Sequence, residues 1–200
     1  MNEILRATGQ HIVIVAIAVT VAIIIGVPLG IWCTRHTTAG RAALRVVDVI
    51  QTIPSLALFG FLIPIPFIGG IGARTAIVAL TLYSLLPIVR NTLVGIRGID
   101  PNVRDAGVAM GLTQRQLLFD VELPLAMPSI VGGIRIATVI AIGVATIAAA
   151  IGGGGLGDLI FRGVAMVNTP LILKGAVPAA LLAMLADVVL TFVERSLMKR

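Results

Sequence analysis

From Ala7 to Thr34 the chain carries no formally charged residue. Such a stretch does not suit a helix lying on water, whereas a bilayer-spanning helix needs only about 20 apolar residues. Further apolar runs follow, so spans are expected at roughly 11–32, 46–65, 73–89, 129–151 and 170–193. Composition agrees, with 58% hydrophobic and 12% charged residues, against about 45–50% and about 25% in ordinary soluble domains. The mean hydropathy is +1.09. A chain of 200 residues has room for these spans and little else. The expectation is an all-α integral membrane protein, one transmembrane domain over residues 1–200 with five transmembrane helices and no soluble appendage. The first run is too long for a signal-peptide core and reads as an uncleaved span.

The net charge of +6 sorts by loop. Arg35, Arg41 and Arg45 follow the first span, and Arg90, Arg97, Arg104 and Arg115 lie between the third and fourth. Arg195, Lys199 and Arg200 end the chain, while the opposite side holds Arg6, Arg74, Arg162 and Lys174. Lys and Arg accumulate in cytoplasmic loops, so the N-terminus is expected outside and the C-terminus in the cytoplasm. The positive charge is thereby assigned to topology and lipid, not to nucleic acid. The single cysteine, Cys33, excludes an internal disulfide, and no Cys/His cluster offers a metal site.

The segment from about 98 to 124 is polar in an otherwise greasy chain. Asp100-Pro101 reads as an N-cap followed by proline at the first helical position. A short helix should then run to about Met110 and stop at Gly111, where glycine takes the left-handed conformation. Thr113-Gln114-Arg115-Gln116 matches a capping box. A second helix should carry Leu117, Leu118, Val121 and Leu123, with Pro124 and Pro128 separating it from the fourth span. The result is a helix–glycine–helix elbow at the cytoplasmic face. It either rests on lipid as amphipathic helices or serves as a rigid knob that a partner grips with little ordering cost.

The elbow resembles the EAA loop of binding-protein-dependent ABC importer permeases, which reads Glu-Ala-Ala, three residues, Gly, nine residues, Ile-x-Leu-Pro. Here Asp105-Ala106-Gly107 is followed at the same spacings by Gly111 and by Val121-Glu122-Leu123-Pro124. Asp for Glu, Gly for the second Ala and Val for Ile are the departures. The segments QTIPSLALFGFLIP (51–64), LLPIVRNTLVGIRGIDP (85–101), VELPLAMPSIVGGIRIATV (121–139) and IGGGGLGDLIFRG (151–163) look like the osmoprotectant subgroup, which imports glycine betaine, choline and carnitine. Methionine importer permeases share the size and layout but resemble these segments less closely. The resemblance implies a type I ABC importer permease fold with cytoplasmic coupling helices. It implies that Asp105, Ala106, Gly107, Gly111, Leu123 and Pro124 shape the contact with an ATPase subunit. It also implies ABC ATPase subunits inside, which hold ATP and Mg, a separate substrate-binding protein outside, and a second permease subunit, identical or homologous. Import, and the exchange of inward- and outward-open states as the ATPases close, are likewise the family's.

Other features have bland and sharp readings side by side. GGGGLG at 152–157 formally contains GxGxxG, but no strand precedes it, so a dinucleotide loop is rejected. A flexible outer loop, or a segment near the binding-protein dock, remains, with Asp158 capping a helix over 159–164. Gly133, Ala137, Ala141, Ala145 and Ala149 make a small-residue stripe for close helix packing or for a surface that slides in gating. Arg135 lies inside the fourth span and is expected to pair with Asp187 or Asp48 at similar depth, because intramembrane charges face protein or water. Gln51, Ser55, Tyr83, Thr138 and Thr146 are candidates for lining a passage. Gln51 equally suits an interhelical hydrogen bond, and the threonines equally suit bonds to their own helix. Pro54 is expected to kink the second span.

An enzyme would need a nucleophile–base pair or metal ligands, and His11 and His36 sit near opposite ends of a span with no HExxH. No GxxxxGK[ST] loop occurs, so ATP hydrolysis is expected on a partner and no cofactor on this chain. A secondary carrier usually shows internal repeats and midplane acids. Here the acids lie toward the cytoplasmic side, and the elbow would have no task. The aromatic residues do not cluster in sequence as a cage for a quaternary amine, which suits a low-affinity passage.

Overall fold

The computed structural model describes residues 2–198, so Lys199 and Arg200, counted above for topology, lie outside the described residues. These residues form helices and turns only. In chain order they are α1 (Asn2–Arg35), α2 (Thr37–Thr52), α3 (Ser55–Leu62), α4 (Ala73–Arg97) and α5 (Pro101–Ala109). Then come α6 (Gln114–Gln116), a π-helical turn (Leu117–Glu122), α7 (Leu123–Ile147), a 3-10 turn (Ala148–Ile151), α8 (Leu156–Ala165) and α9 (Thr169–Met198).

Four stretches are long and apolar enough to cross a membrane: α1, α4, the continuous run Gln114–Ile151, and α9. The expected second span differs. It breaks at Ile53-Pro54, and α2 and α3 meet at 103°, well beyond a kink. Pro54 has no N–H to donate, and Ile53 is forced into extended backbone (ψ 127) as a residue preceding proline is. The Tyr83 hydroxyl donates to the Ile53 carbonyl, and Gln51 Nε2 lies 3.4 Å from the Tyr83 carbonyl. Backbone groups freed inside a bilayer need such partners.

α4 is the central helix, packed between α1 and α7, and its membrane window is the most buried of the four. Lipid gives helices no hydrophobic reason to associate, so close backbone approach must do the work. A Cβ on Gly26 or Gly30 of α1 would fall 2.9 Å from Ile88 or 2.6 Å from Thr92 of α4. The stripe on α7 does the same from the other side. Gly133, Ala137, Ala141 and Ala145 are buried, and a Cβ on Gly133 would sit 2.6 Å from Asn91 and 2.7 Å from the Pro87 carbonyl. Hydrogen bonds join the helices too: Thr81 Oγ1 donates to Ala18 O at 3.2 Å and Ser129 Oγ to Asn91 O at 2.9 Å. α9 packs on α7 and α8 but leaves Val177, Leu181, Met184, Leu185, Val188 and Phe192 exposed.

Two further expectations change. Pro124 and Pro128 do not separate the elbow from the fourth span, because the helix runs on through both. The π-helical turn absorbs the first: Leu123 N–H reaches back five residues to Leu118 O, and the next N–H is the one proline lacks. GGGGLG forms a packed turn from the 3-10 turn into α8. Gly153, Gly154 and Gly155 are buried, Gly153 against Ala148 and the other two against Gln10 and His11 of α1. A Cβ on Gly154 would run into the Gln10 side chain, while Gln10 Oε1 accepts from Gly155 N–H at 3.2 Å. Gly154 and Gly155 have φ of 79° and 80°, the left-handed region that glycine tolerates. α8 therefore starts at Leu156 with Gly155 as its cap, and Asp158 lies within its first turn.

Candidate functional site

The elbow is built as its local signals dictate. The Asp100 carboxylate caps α5 by accepting from Asn102 N–H at 2.9 Å. Gly111 turns the chain with φ 83°. Thr113 Oγ1 accepts from Gln116 N–H at 3.3 Å, and the Gln116 side chain accepts from Thr113 N–H at 2.9 Å, closing the box. Gly107 is buried under Leu117 and Leu112, and a Cβ there would meet the tips of both side chains at 2.8 and 3.3 Å. Asp105, Ala106, Gly111 and Pro124 are exposed, and Leu123 is half-buried against Ile96, Ala126 and Ile130. Val103, Val108, Met110 and Phe119 also stand exposed, Met110 at 76%. The elbow thus has a capped, packed backbone and an outer surface in which exposed apolar residues stand among polar ones such as Asp105, Gln114 and Arg115.

Beneath it lies a residue that the motif comparison passed over. Glu122 ends the π-helical turn and is 1% exposed. Its carboxylate takes Arg104 Nε of α5 at 2.9 Å on one oxygen and Arg35 Nη2 of α1 on the other. Arg104 also donates to the Ile96 carbonyl near the end of α4. A buried carboxylate with two cationic partners is strongly held, and removing one partner of such a pair costs about 3–5 kcal/mol. The signal available in sequence was an acid between two apolar residues, Val121-Glu122-Leu123.

Arg135 Nη1 lies 3.3 Å from Asp187 Oδ1 and 3.0 Å from Thr191 Oγ1. Its Nε lies 3.2 Å from Glu194 Oε2, an ionic contact off the hydrogen-bond line. Of the two partners expected, Asp48 is the wrong one: it takes Arg90 Nη2 at 3.0 Å, because α2 packs on α4 and not on α7. Glu194 lies one residue past the expected end of the fifth span and was not among the expected partners.

The passage candidates do not converge. Gln51, Tyr83 and the start of α3 at Ser55 surround the α2–α3 break. Thr138 donates to Ile134 O and Thr146 to Gly143 O, both 2.7 Å, within their own chain segment. Thr138 lines an apolar groove between α1, α7 and α9 that also holds His11. His11 Nε2 lies 3.1 Å from the Ile142 carbonyl; a carbonyl only accepts, so that nitrogen carries the proton. At the opposite end from the elbow, a cavity of about 580 Å³ is lined by Glu3, Arg6, Gln10, Asp158 and Arg162 among others, with Arg162 bonded to Glu3.

The chain has relatives among known proteins in sequence and in fold. Over 194 residues the chain is 46% identical to a glycine betaine/carnitine/choline transport system permease protein of Bacillus subtilis, covering 97% of this chain and 88% of the relative. It is 48% identical over 182 residues to an osmoprotectant import permease protein of Salmonella typhimurium, covering 90% and 85%. The methionine ABC transporter MetNI, solved in inward-facing conformations, has the same fold with a TM-score of 0.89 at 23% identity, over 98% of this chain and 97% of that one. Residues 26–200 match the family described as binding-protein-dependent transport system inner membrane component, and the chain belongs to that family.

Proposed function

We propose that this chain is the permease subunit of an ATP-driven importer of quaternary-amine osmoprotectants such as glycine betaine, choline and carnitine. The observation that carries the reading is near-full-length identity of 46–48% to permeases named for those solutes. The elbow supports the mechanism. Its exposed Asp105 and Ala106, the Gly111 turn and the apolar Val108, Met110 and Phe119 form a shape that a groove on an ATPase subunit would receive. Gly107, Leu123 and Pro124 hold that shape from within and behind. ATP and Mg belong on the ATPase subunits, and this chain takes no cofactor. A substrate-binding protein would deliver the solute at the Arg162 end, and a second permease subunit would complete the passage. The basic loops support an elbow in the cytoplasm and an N-terminus outside.

Translocation follows from that assembly. Closure of the ATPase pair draws the elbows together, each elbow pulls on α4 and α7, and the passage between two permeases changes the side it opens to. Gln51, Ser55 and Tyr83, at the broken α2–α3 pair, are the proposed lining at one level, and Thr138 and Thr146 at others. Arg135 with Asp187 pins α7 to α9 as they move.

The test is uptake of labelled glycine betaine, choline, carnitine and methionine by cells lacking their own carriers and expressing this chain with an ATPase and a binding protein. Uptake of a quaternary amine is expected. Methionine uptake alone would transfer the protein to another substrate class.

A further inference from the structure

α5 packs on the π-helical turn and on little else in the molecule. Its apolar hold is Gly107 under Leu117, and its ionic hold is Arg104 on Glu122. The same carboxylate holds Arg35 at the end of α1, and the same arginine holds the Ile96 carbonyl of α4. One buried side chain therefore ties together the elbow, the ends of α1 and α4, and the start of α7. The π-helical turn places it: the widened turn ends on Glu122, which is buried while its neighbours Val121 and Leu123 are half-buried.

We infer that Glu122 is a positioning residue for energy coupling: through Arg104 and Arg35 it makes the elbow, α1 and α7 move as one body. This rests on the permease reading above. A push on α5 would otherwise be absorbed by rotation about Ile99 and Leu112, the connections flanking that helix. With the carboxylate in place, displacement of α5 drags the α1 end and the α7 start with it. Arg104 is the elbow-side hand of the clamp and Arg35 the bundle-side hand.

The experiment uses the whole complex, this chain with its ATPase and binding protein in proteoliposomes, as wild type, Glu122→Gln and Arg35→Gln. Two readouts are taken: amide exchange over residues 101–116 against α4, and ATP hydrolysed per molecule of glycine betaine imported. Glu122→Gln keeps the side-chain shape and loses the charge. Exchange over 101–116 should speed up about tenfold with α4 unchanged, since only the elbow's local opening becomes easier. ATP turnover should persist while ATP consumed per solute rises about tenfold, and Arg35→Gln should raise that ratio without loosening 101–116 as much. Unchanged exchange and an unchanged ratio in Glu122→Gln would overturn the inference. So would a parallel rise in α4 exchange in both variants, which would make Glu122 a residue of the fold alone. If the wild type imports none of the quaternary amines, the substrate reading fails, and the exchange readout still decides whether Glu122 clamps the elbow.

Discussion

Single residues carry the polar connections of this bundle, and each has a definable consequence. Tyr83 is one. Its hydroxyl caps the carbonyl left over at the α2–α3 break, and an unsatisfied buried acceptor costs about 1–3 kcal/mol. Tyr83→Phe is therefore expected to lower the melting temperature of the purified chain and to loosen the break, with no loss of apolar packing; an unchanged melting temperature would mean that another donor serves Ile53. Arg135 is the second. It stands between Asp187 and Glu194, so Arg135→Gln leaves two carboxylates facing each other. A loss of about 2 kcal/mol is expected from the charged hydrogen bonds alone. Arg135→Asp combined with Asp187→Arg should recover only part of it, because Glu194 then lies beside the acid. Full recovery would show that Glu194 contributes nothing. Asp187 could be matched with Arg135 in sequence because depth along two spans is countable. Glu194 lay just past the expected span end, and Glu122 could not be matched because its partners Arg35 and Arg104 lie on helices whose rotation a single sequence does not set.

At the scale of elements, the elbow was the most legible part of the chain. Caps, glycine stop and capping box are local chemistry, and local chemistry is written in neighbouring residues. Gly111→Ala puts a side chain at φ 83°, which costs about 1–2 kcal/mol for an L-residue. Gly107→Ala only pushes the mobile tips of Leu117 and Leu112 and should cost less. Thermal melts of the two variants should rank in that order, and the reverse order would mean that the buried contact, not the turn, shapes the elbow. The prolines were legible in kind but not in outcome. Pro54 breaks the helix at 103°, where the Tyr83 hydroxyl takes up the Ile53 carbonyl, whereas Pro124 and Pro128 sit in a helix held by α4 and are absorbed. Tertiary packing decides between those outcomes. GGGGLG misled for the same reason: its glycines permit close approach to Gln10 and His11, and that neighbour is more than a hundred residues away in sequence.

For the molecule as a whole, the apolar runs made the membrane-crossing helices α1, α4, α7 and α9 readable, while the 103° break of α2–α3 was not. What they left out is the assembly. The α9 face with Leu181, Met184, Val188 and Phe192 is exposed, and in a bilayer it can face lipid at no hydrophobic cost. The passage candidates stay apart within one chain, as the proposed passage between two permeases would require, since each would give only part of the wall. The central claim is that the elbow converts ATP hydrolysis on a partner into solute movement through this bundle. The most direct test is glycine betaine import into proteoliposomes holding this chain, its ATPase and its binding protein, with ATP or a non-hydrolysable analogue inside the ATPase compartment, for wild type and Gly111→Asp. Import is expected with ATP alone, and is lost in Gly111→Asp while the protein remains inserted. Import that survives both the analogue and Gly111→Asp would contradict it.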